Sequence, residues 1–349
     1  ICTFFSCVKI PEMTLEEIQQ IQSTGTNLFV SKTISKHWQG QEYKTGTVGG
    51  EWLTSMTSDP KSFNLLIAER DATTMSILSN MHDYLVDYDY IKKEFVPLCA
   101  IPKVTVNKDN TMTVTYTFRD NLYWSFYDSN KKIPVTSDDI IFWYDEIEGD
   151  PAFQSSAYNS QFVEMEDGTT KRITITKIDE KTFAFNFPRI DANPLLATNR
   201  TFGPKFLYAE AKKNGGVKGV QDLLNVATDV KKIPSMGMWF LTEYTPGQRL
   251  VFSRNPNYWR KDNNNTAFPY PEKMIAQIVS DQNTQFLLFK EQKQEGYSAR
   301  PEDLDELIQN QKNWTVFNGG GSLSAPLWSF NQNPKNNNKK YYNWFTKKE

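Results

Sequence analysis

Ser235-Met236-Gly237-Met238-Trp239-Phe240-Leu241-Thr242-Glu243-Tyr244-Thr245-Pro246-Gly247-Gln248-Arg249-Leu250-Val251-Phe252-Ser253-Arg254-Asn255-Pro256-Asn257-Tyr258-Trp259 is the stretch whose reading decides the fold. Two apolar runs flank a polar centre. Trp239 and Leu241 lead into Tyr244 to Gln248, and Leu250 and Phe252 lead out toward Arg254 to Trp259. Pro246 fixes φ at the second turn position and Gly247 tolerates positive φ at the third, which is what a type II turn requires. The spacing predicts a β-hairpin followed by a loop. A hairpin alone says nothing of function, so its neighbours carry the weight.

Upstream, Gly49 to Met56 reads as a strand that runs into Thr57-Ser58-Asp59-Pro60-Lys61-Ser62-Phe63-Asn64. Pro60 has no N–H for a ladder and ends the strand. Asp59 and Asn64 are suited to bonding nearby backbone and holding the loop open. Ile77, Met81, Leu85 and Tyr88 fall on one face of a helix over 72–90. Met112, Val114, Tyr116 and Phe118 alternate with threonines at period two, a half-buried strand. Thr136 precedes Asp139 by three residues, an acidic variant of the capping box, and Ile140, Tyr144 and Ile147 then face inward. A metal or acid/base reading of Asp138-Asp139 competes poorly with the electrostatic preference of helix N-termini for acids. Ile173 and Ile175 pair with Phe183, Phe185 and Phe187 as a second hairpin. Gly215, Gly216 and Gly219 mark a loop. Residues 270–281 form a strand leading to a helix start. A helix from Thr284 to Lys290 and another opening at Arg300-Pro301 follow.

Taken in order, these segments resemble the extracellular solute-binding proteins of family 5, the peptide- and nickel-binding components of bacterial ABC importers. The first hairpin resembles the family's Gly-x-aromatic, Pro-Gly and Arg-Asn-Pro-x-Tyr-Trp signature, with Met238-Trp239 where relatives have Pro-Tyr or Pro-Phe. Ser58-Asp59-Pro60 with Asn64, Asp83 to Asp89, Arg119 to Ser125, Pro134 to Phe142, Phe202 to Tyr208 and Pro326 to Asn331 resemble further family motifs. An insertion, Phe126 to Lys132, stands where the family has Asp-Gly. The resemblance covers about residues 48–349. It implies an α/β fold of the periplasmic-binding-protein type II (cluster C) kind: a two-lobed clamshell with an extra β-rich subdomain. The implied organisation is a signal-peptide remnant at 1–6, a lipid-anchored tether at 7–47, first-lobe parts at 48–85 and 199–280, the extra subdomain at 86–198, and the start of an incomplete second lobe at 281–349. Family members continue well beyond this point, so the chain is expected to be part of a longer protein.

The resemblance implies capture of an oligopeptide by lobe closure and delivery to a membrane permease, by a monomer at the cell envelope. Nickel chelates, oligosaccharides and a non-transport receptor or adhesin role are the alternatives. It implies a cleft lined by Met56, Thr57 and Ser58. Trp239, Trp328 and Asn331 are further candidates, each with core packing as an equal competitor.

Composition fits this reading. Lys and Arg total 39 against 41 Asp and Glu, a net charge of −2, which lacks the basic excess of a phosphate-tracking nucleic-acid binder. Aromatic residues make up 14%; cores absorb most of them, and flat rings also suit a ligand cleft. Three cysteines and two histidines support neither a zinc site nor a disulfide framework, so no metal or cofactor is expected. Phe4-Phe5-Ser6-Cys7 is a relaxed lipobox, which would make Cys7 the acylated residue; an apolar N-terminal strand is the competing reading. No Gly-x-Ser-x-Gly, His-Glu-x-x-His or Walker pattern occurs, which argues against an enzyme.

Overall fold

The computed structural model describes residues 16, 36–39, 41 and 44–319. It divides into two compact units. In the smaller, made from residues 1–41 and 310–349, His37 and Asn318 form an isolated parallel bridge. The larger, Glu42–Gln309, contains two four-stranded sheets.

The first sheet is mixed. Glu51–Met56 runs parallel to Lys273–Ile278, which pairs antiparallel with Arg249–Arg254, which in turn pairs with Trp239–Thr245. The last two strands are the hairpin expected from residues 235–259. Gln248 N–H donates to Thr245 C=O at 3.0 Å across the turn, and Gly247 sits at φ 69°. The ladder slips at Thr242, whose hydroxyl donates to Val251 C=O at 3.1 Å. Trp239, Phe240, Leu241, Leu250, Val251 and Phe252 are all buried.

The second sheet is antiparallel, in the order Thr174–Lys177, Thr182–Phe187, Met112–Phe118, Ala100–Val106. The period-two reading holds: Met112, Val114, Tyr116 and Phe118 are buried opposite Phe183, Phe185 and Phe187. Tyr116 stacks on Phe183 with ring centroids 5.6 Å apart. The helix Ser137–Phe142 continues as a π-helix through Glu148 and buries Ile140, Trp143, Tyr144 and Ile147 against this sheet's core. One apolar cluster runs from Phe63 through both sheets to Ala276.

Three sequence expectations are corrected. The helix expected over 72–90 spans only Ala72–Leu78, and Val86–Asp89 is a strand. Ile77, Met81 and Leu85 are buried as the pattern required. The helix stops because the carbonyls that would continue it are taken: Asn80 C=O accepts from Trp239 N–H, and Met81 C=O accepts from Met236 and Gly237 N–H. Gly215, Gly216 and Gly219 lie within Lys205–Gln221, which is helical except for a break at Gly216 (φ 58°, ψ −143°), a conformation open to glycine. The strand expected over 270–281 is limited to Lys273–Ile278, with Gln282–Lys290 as the following helix.

Candidate functional site

The motifs that identify the hairpin act as fasteners. Asp59 reaches from the loop after the first strand to the hairpin turn, where its Oδ1 accepts from Tyr244 O–H (2.9 Å) and Gly247 N–H (2.8 Å). Asn64, fully buried, caps Leu65–Ala68 through Leu66 N–H, accepts from Tyr208 O–H, and donates to Val220 and Leu223 carbonyls. Asn255 donates to Gly237 C=O at 2.8 Å. Tyr258 O–H and Trp259 Nε1–H converge on buried Asp83 at 3.2 and 2.6 Å, and the Arg119 guanidinium lies over the Trp259 ring at 4.9 Å. Burial pushes the Asp83 carboxyl up to about 6. These contacts fix the mixed sheet to the β-rich part of the unit.

What they fix in place is the end of the first strand. Glu51–Met56 and Lys273–Ile278 are parallel, so Met56 and Ile278 finish at the same edge. In open α/β sheets, the space beyond the carboxyl ends of strands is where ligands seat, because loops diverge there. Val279 N–H donates to Met56 C=O at 2.8 Å, and Asp281 then caps the helix Gln282–Lys290 through Thr284 N–H. After this helix the chain returns to the other side of the first strand. Glu295 N–H donates to Leu53 C=O at 3.0 Å, the Glu295 carboxylate accepts from Leu53 N–H, and Ser55 O–H donates to Gln294 Oε1 at 2.7 Å.

Between these segments lies a cavity of about 330 Å3 lined by Trp52, Thr54, Ser55, Gln282, Gln285, Gln294, Gly296, Tyr297 and Ser298. Its walls are held firmly. Gln294 is buried, with its amide N–H on Gln285 and Gly296 carbonyls, and Gln285 donates to Val279 C=O at 2.7 Å. Tyr297 stacks between Phe286 and Phe289 and donates its hydroxyl to Asp303. Trp52 keeps 46% of its surface exposed. The wall offers amides, hydroxyls and flat rings, which is the chemistry of solute recognition.

Two other cavities are less apt. One of about 560 Å3 lies beside Asn110, Glu164 and Arg189, but Arg189 spends its donors on the Glu164 and Ile190 carbonyls. One of about 150 Å3 borders the buried ion pair Arg200–Glu148 (2.7 Å). There Glu148 also accepts from Trp143 Nε1–H, and burial lifts its carboxyl to about 7. Asp139 accepts from Thr136 N–H, Lys205 N–H and Trp124 Nε1–H, while Asp138 pairs with Lys177. Asp139 therefore serves the helix terminus and Asp138 an ion pair. Among the described residues, no group of three or more His, Cys, Asp or Glu side chains is placed to hold a metal. No helix among them is long and apolar enough to cross a membrane.

The sequence-named site residues fall in three places. Met56, half-buried, and exposed Thr57 and Ser58 lie at the strand end beside the cavity's Ser55, with Ser58 O–H and Thr73 O–H sharing a hydrogen bond of 2.7 Å. Trp239 is 3% exposed and packs in the core under the hairpin. Cys7, Trp328 and Asn331 lie outside the described residues. Trp52, Gln282, Gln285, Gln294 and Tyr297 become candidates only through the structure, as the lining of the cavity. Gln282 and Gln285, one helical turn apart behind a capping Asp281, were the available signal.

Residues 94–346 match the model of the bacterial extracellular solute-binding proteins, family 5 Middle. A probable ABC transporter-binding protein of Deinococcus radiodurans is 25% identical over 288 residues, which is 81% of this chain and 46% of the relative. The oligopeptide-binding protein SarA of Streptococcus gordonii is 27% identical over 59% of this chain and 30% of its own length. The chain thus spans about half or less of the length of these relatives. Among solved structures, DppA from Helicobacter pylori in complex with the peptide STSA superposes with a TM-score of 0.56 at 16% identity, over 75% of this chain and 49% of that one. That likeness shows the type II periplasmic-binding-protein fold. With most of its length matched by the family model and its two sheets on the family's fold, this chain belongs to the bacterial extracellular solute-binding proteins of family 5.

Proposed function

We propose that the protein captures oligopeptides outside the cytoplasm and hands them to a membrane permease of an ABC importer. The observation that carries this reading is the polar cavity between the first strand, the helix Gln282–Lys290 and the segment 294–298, in a chain of this family. Trp52, Thr54 and Ser55 of the first strand supply one wall of that cavity, and the loop Met56 to Ser58 follows directly in the chain. A second lobe closes over the solute by hinge bending and presents the closed form to the permease. The binding protein acts as a monomer, without cofactor or catalysis, and is held at the membrane by acylation of Cys7. The similarity to the oligopeptide-binding protein SarA supports the ligand class.

A thermal-shift screen of the full-length protein with peptide pools, nickel–histidine and oligosaccharides tests this. A ligand that binds only the native form raises the melting temperature in proportion to the logarithm of its concentration. Stabilisation by peptides is the expected result. Stabilisation by sugars or nickel chelate alone moves the ligand class and leaves the fold and site in place.

A further inference from the structure

We infer that the part of the solute seated in the Trp52–Tyr297 cavity is uncharged: a neutral side chain of the peptide. This rests on the peptide reading above and specifies one subsite within it. The cavity wall holds three glutamines, two serines, a threonine, a glycine, a tryptophan and a tyrosine, and no carboxylate, ammonium or guanidinium. The basic groups on the surrounding elements are held in ion pairs, and the two flanking carboxylates, Asp281 and Glu295, are turned onto backbone and hydroxyl donors of the protein. The Glu295 carboxylate accepts from Leu53 N–H, and Asp281 from Thr284 N–H and O–H. Arg300 is clamped to Asp303 through Nε and Nη2, both at 2.8 Å, and also donates to Asn283. Lys290 pairs with Glu306, and Lys273 lies 3.9 Å from Glu51. The one ionisable group on the wall, Tyr297, donates its hydroxyl to Asp303.

A charged ligand group entering here would lose water and find no side chain of opposite charge on this wall, which is costly. An uncharged group meets what it needs. Gln282 presents an exposed amide that both donates and accepts, as do peptide amides, Gln, Ser and Tyr. Trp52 offers a flat face for an aromatic or aliphatic side chain at little entropic cost.

The test is isothermal titration of the full-length protein with a positional series of one peptide. Each position carries Gln, Tyr, Lys or Asp in turn. At one position the wild type should bind the Gln and Tyr peptides about tenfold more tightly than the Lys and Asp peptides. Gln282→Glu should relieve the Lys penalty while keeping the Asp penalty, and Gln282→Lys should do the reverse. Both substitutions are on an exposed helix position, and unchanged melting temperatures establish that folding is intact. If peptides bind but no position discriminates against charge, or the two variants leave the profile unchanged, the inference is overturned. If no peptide binds the wild type at all, the peptide reading itself falls.

Discussion

Asp83 offers the sharpest test of how this fold is fastened. It is buried, it accepts from Tyr258 O–H and Trp259 Nε1–H, and burial raises its carboxyl from 3.8 to about 6. In the unfolded chain it titrates near its ordinary value. The native state therefore binds the proton more tightly than the unfolded state. The stabilisation from that proton is fully present below about pH 3.8 and is lost as pH rises through about 6. A shift of roughly two units corresponds to about 3 kcal/mol. Replacing Asp83 with Asn removes the titration. It leaves one amide oxygen for two donors, so the variant is offset in stability by an amount that does not depend on pH. Urea unfolding of wild type and Asp83→Asn at intervals from pH 4 to pH 8 separates the two effects. Other buried titrating groups, Glu148 and His82 among them, appear in both proteins and cancel in the difference. The expected difference curve changes by about 2–3 kcal/mol across the range, with the wild type gaining on the variant as pH falls. Parallel profiles would mean that Asp83 titrates alike in both states, and the buried latch would be refuted.

Three further substitutions probe the same frame. Gly237→Ala would place a Cβ 2.6 Å from Met81 C and 2.7 Å from Asn80 O, both backbone, so a loss of about 2 kcal/mol or more in denaturant unfolding is expected. Asn64→Ala removes a buried side chain that bonds Leu66, Tyr208, Val220 and Leu223, and should cost about 3 kcal/mol; an unchanged urea midpoint would show that these bonds contribute nothing net. Arg200→Met leaves Glu148 buried without its partner and should cost about 3–5 kcal/mol at pH 8. Because burial already holds the Glu148 carboxyl up at about 7 with Arg200 present, that deficit should shrink toward pH 5, where the group is neutral; a deficit constant with pH would contradict the assignment.

Features set by local chemistry were legible in the sequence. Pro246 and Gly247 specified the turn, and Gly247 lies at positive φ. Threonine alternation specified the strand Met112–Phe118, and Thr136 with Asp139 marked the start of its helix. Features set by long-range pairing were not. The apolar spacing of Ile77, Met81 and Leu85 suits a helix, yet Met236 to Trp239 claims the Asn80 and Met81 carbonyls from across the sequence and ends it early. The same geometry governs Trp239. Its N–H bonds Asn80 and its ring sits in the core, so its place could be read only once that pairing was known.

This division explains why the fold was easier to read than the ligand. Asp59, Asn64, Asp83, Asn255, Tyr258 and Trp259 make the motifs recognisable, and each directs side-chain hydrogen bonds to the protein itself. A group already bonded in this way offers little to a solute, which leaves Gln282 and Trp52 among the open side chains of the cavity wall. The cavity wall is built differently. Trp52, Gln282 and Gln285 come from a strand and a helix more than two hundred residues apart in sequence, joined only because Glu51–Met56 lies parallel to Lys273–Ile278. Gln285 props the strand end through Val279 C=O, but Trp52 and Gln282 are not needed to hold that register, since the backbone ladder and the Leu53–Glu295 contacts do so. Side chains free of structural duty can be exchanged without loss of the fold. On the proposed reading, ligand choice rests on residues to which the signature motifs are blind, and substitutions at Gln282 should move specificity while those at Asn64 or Gly237 move stability.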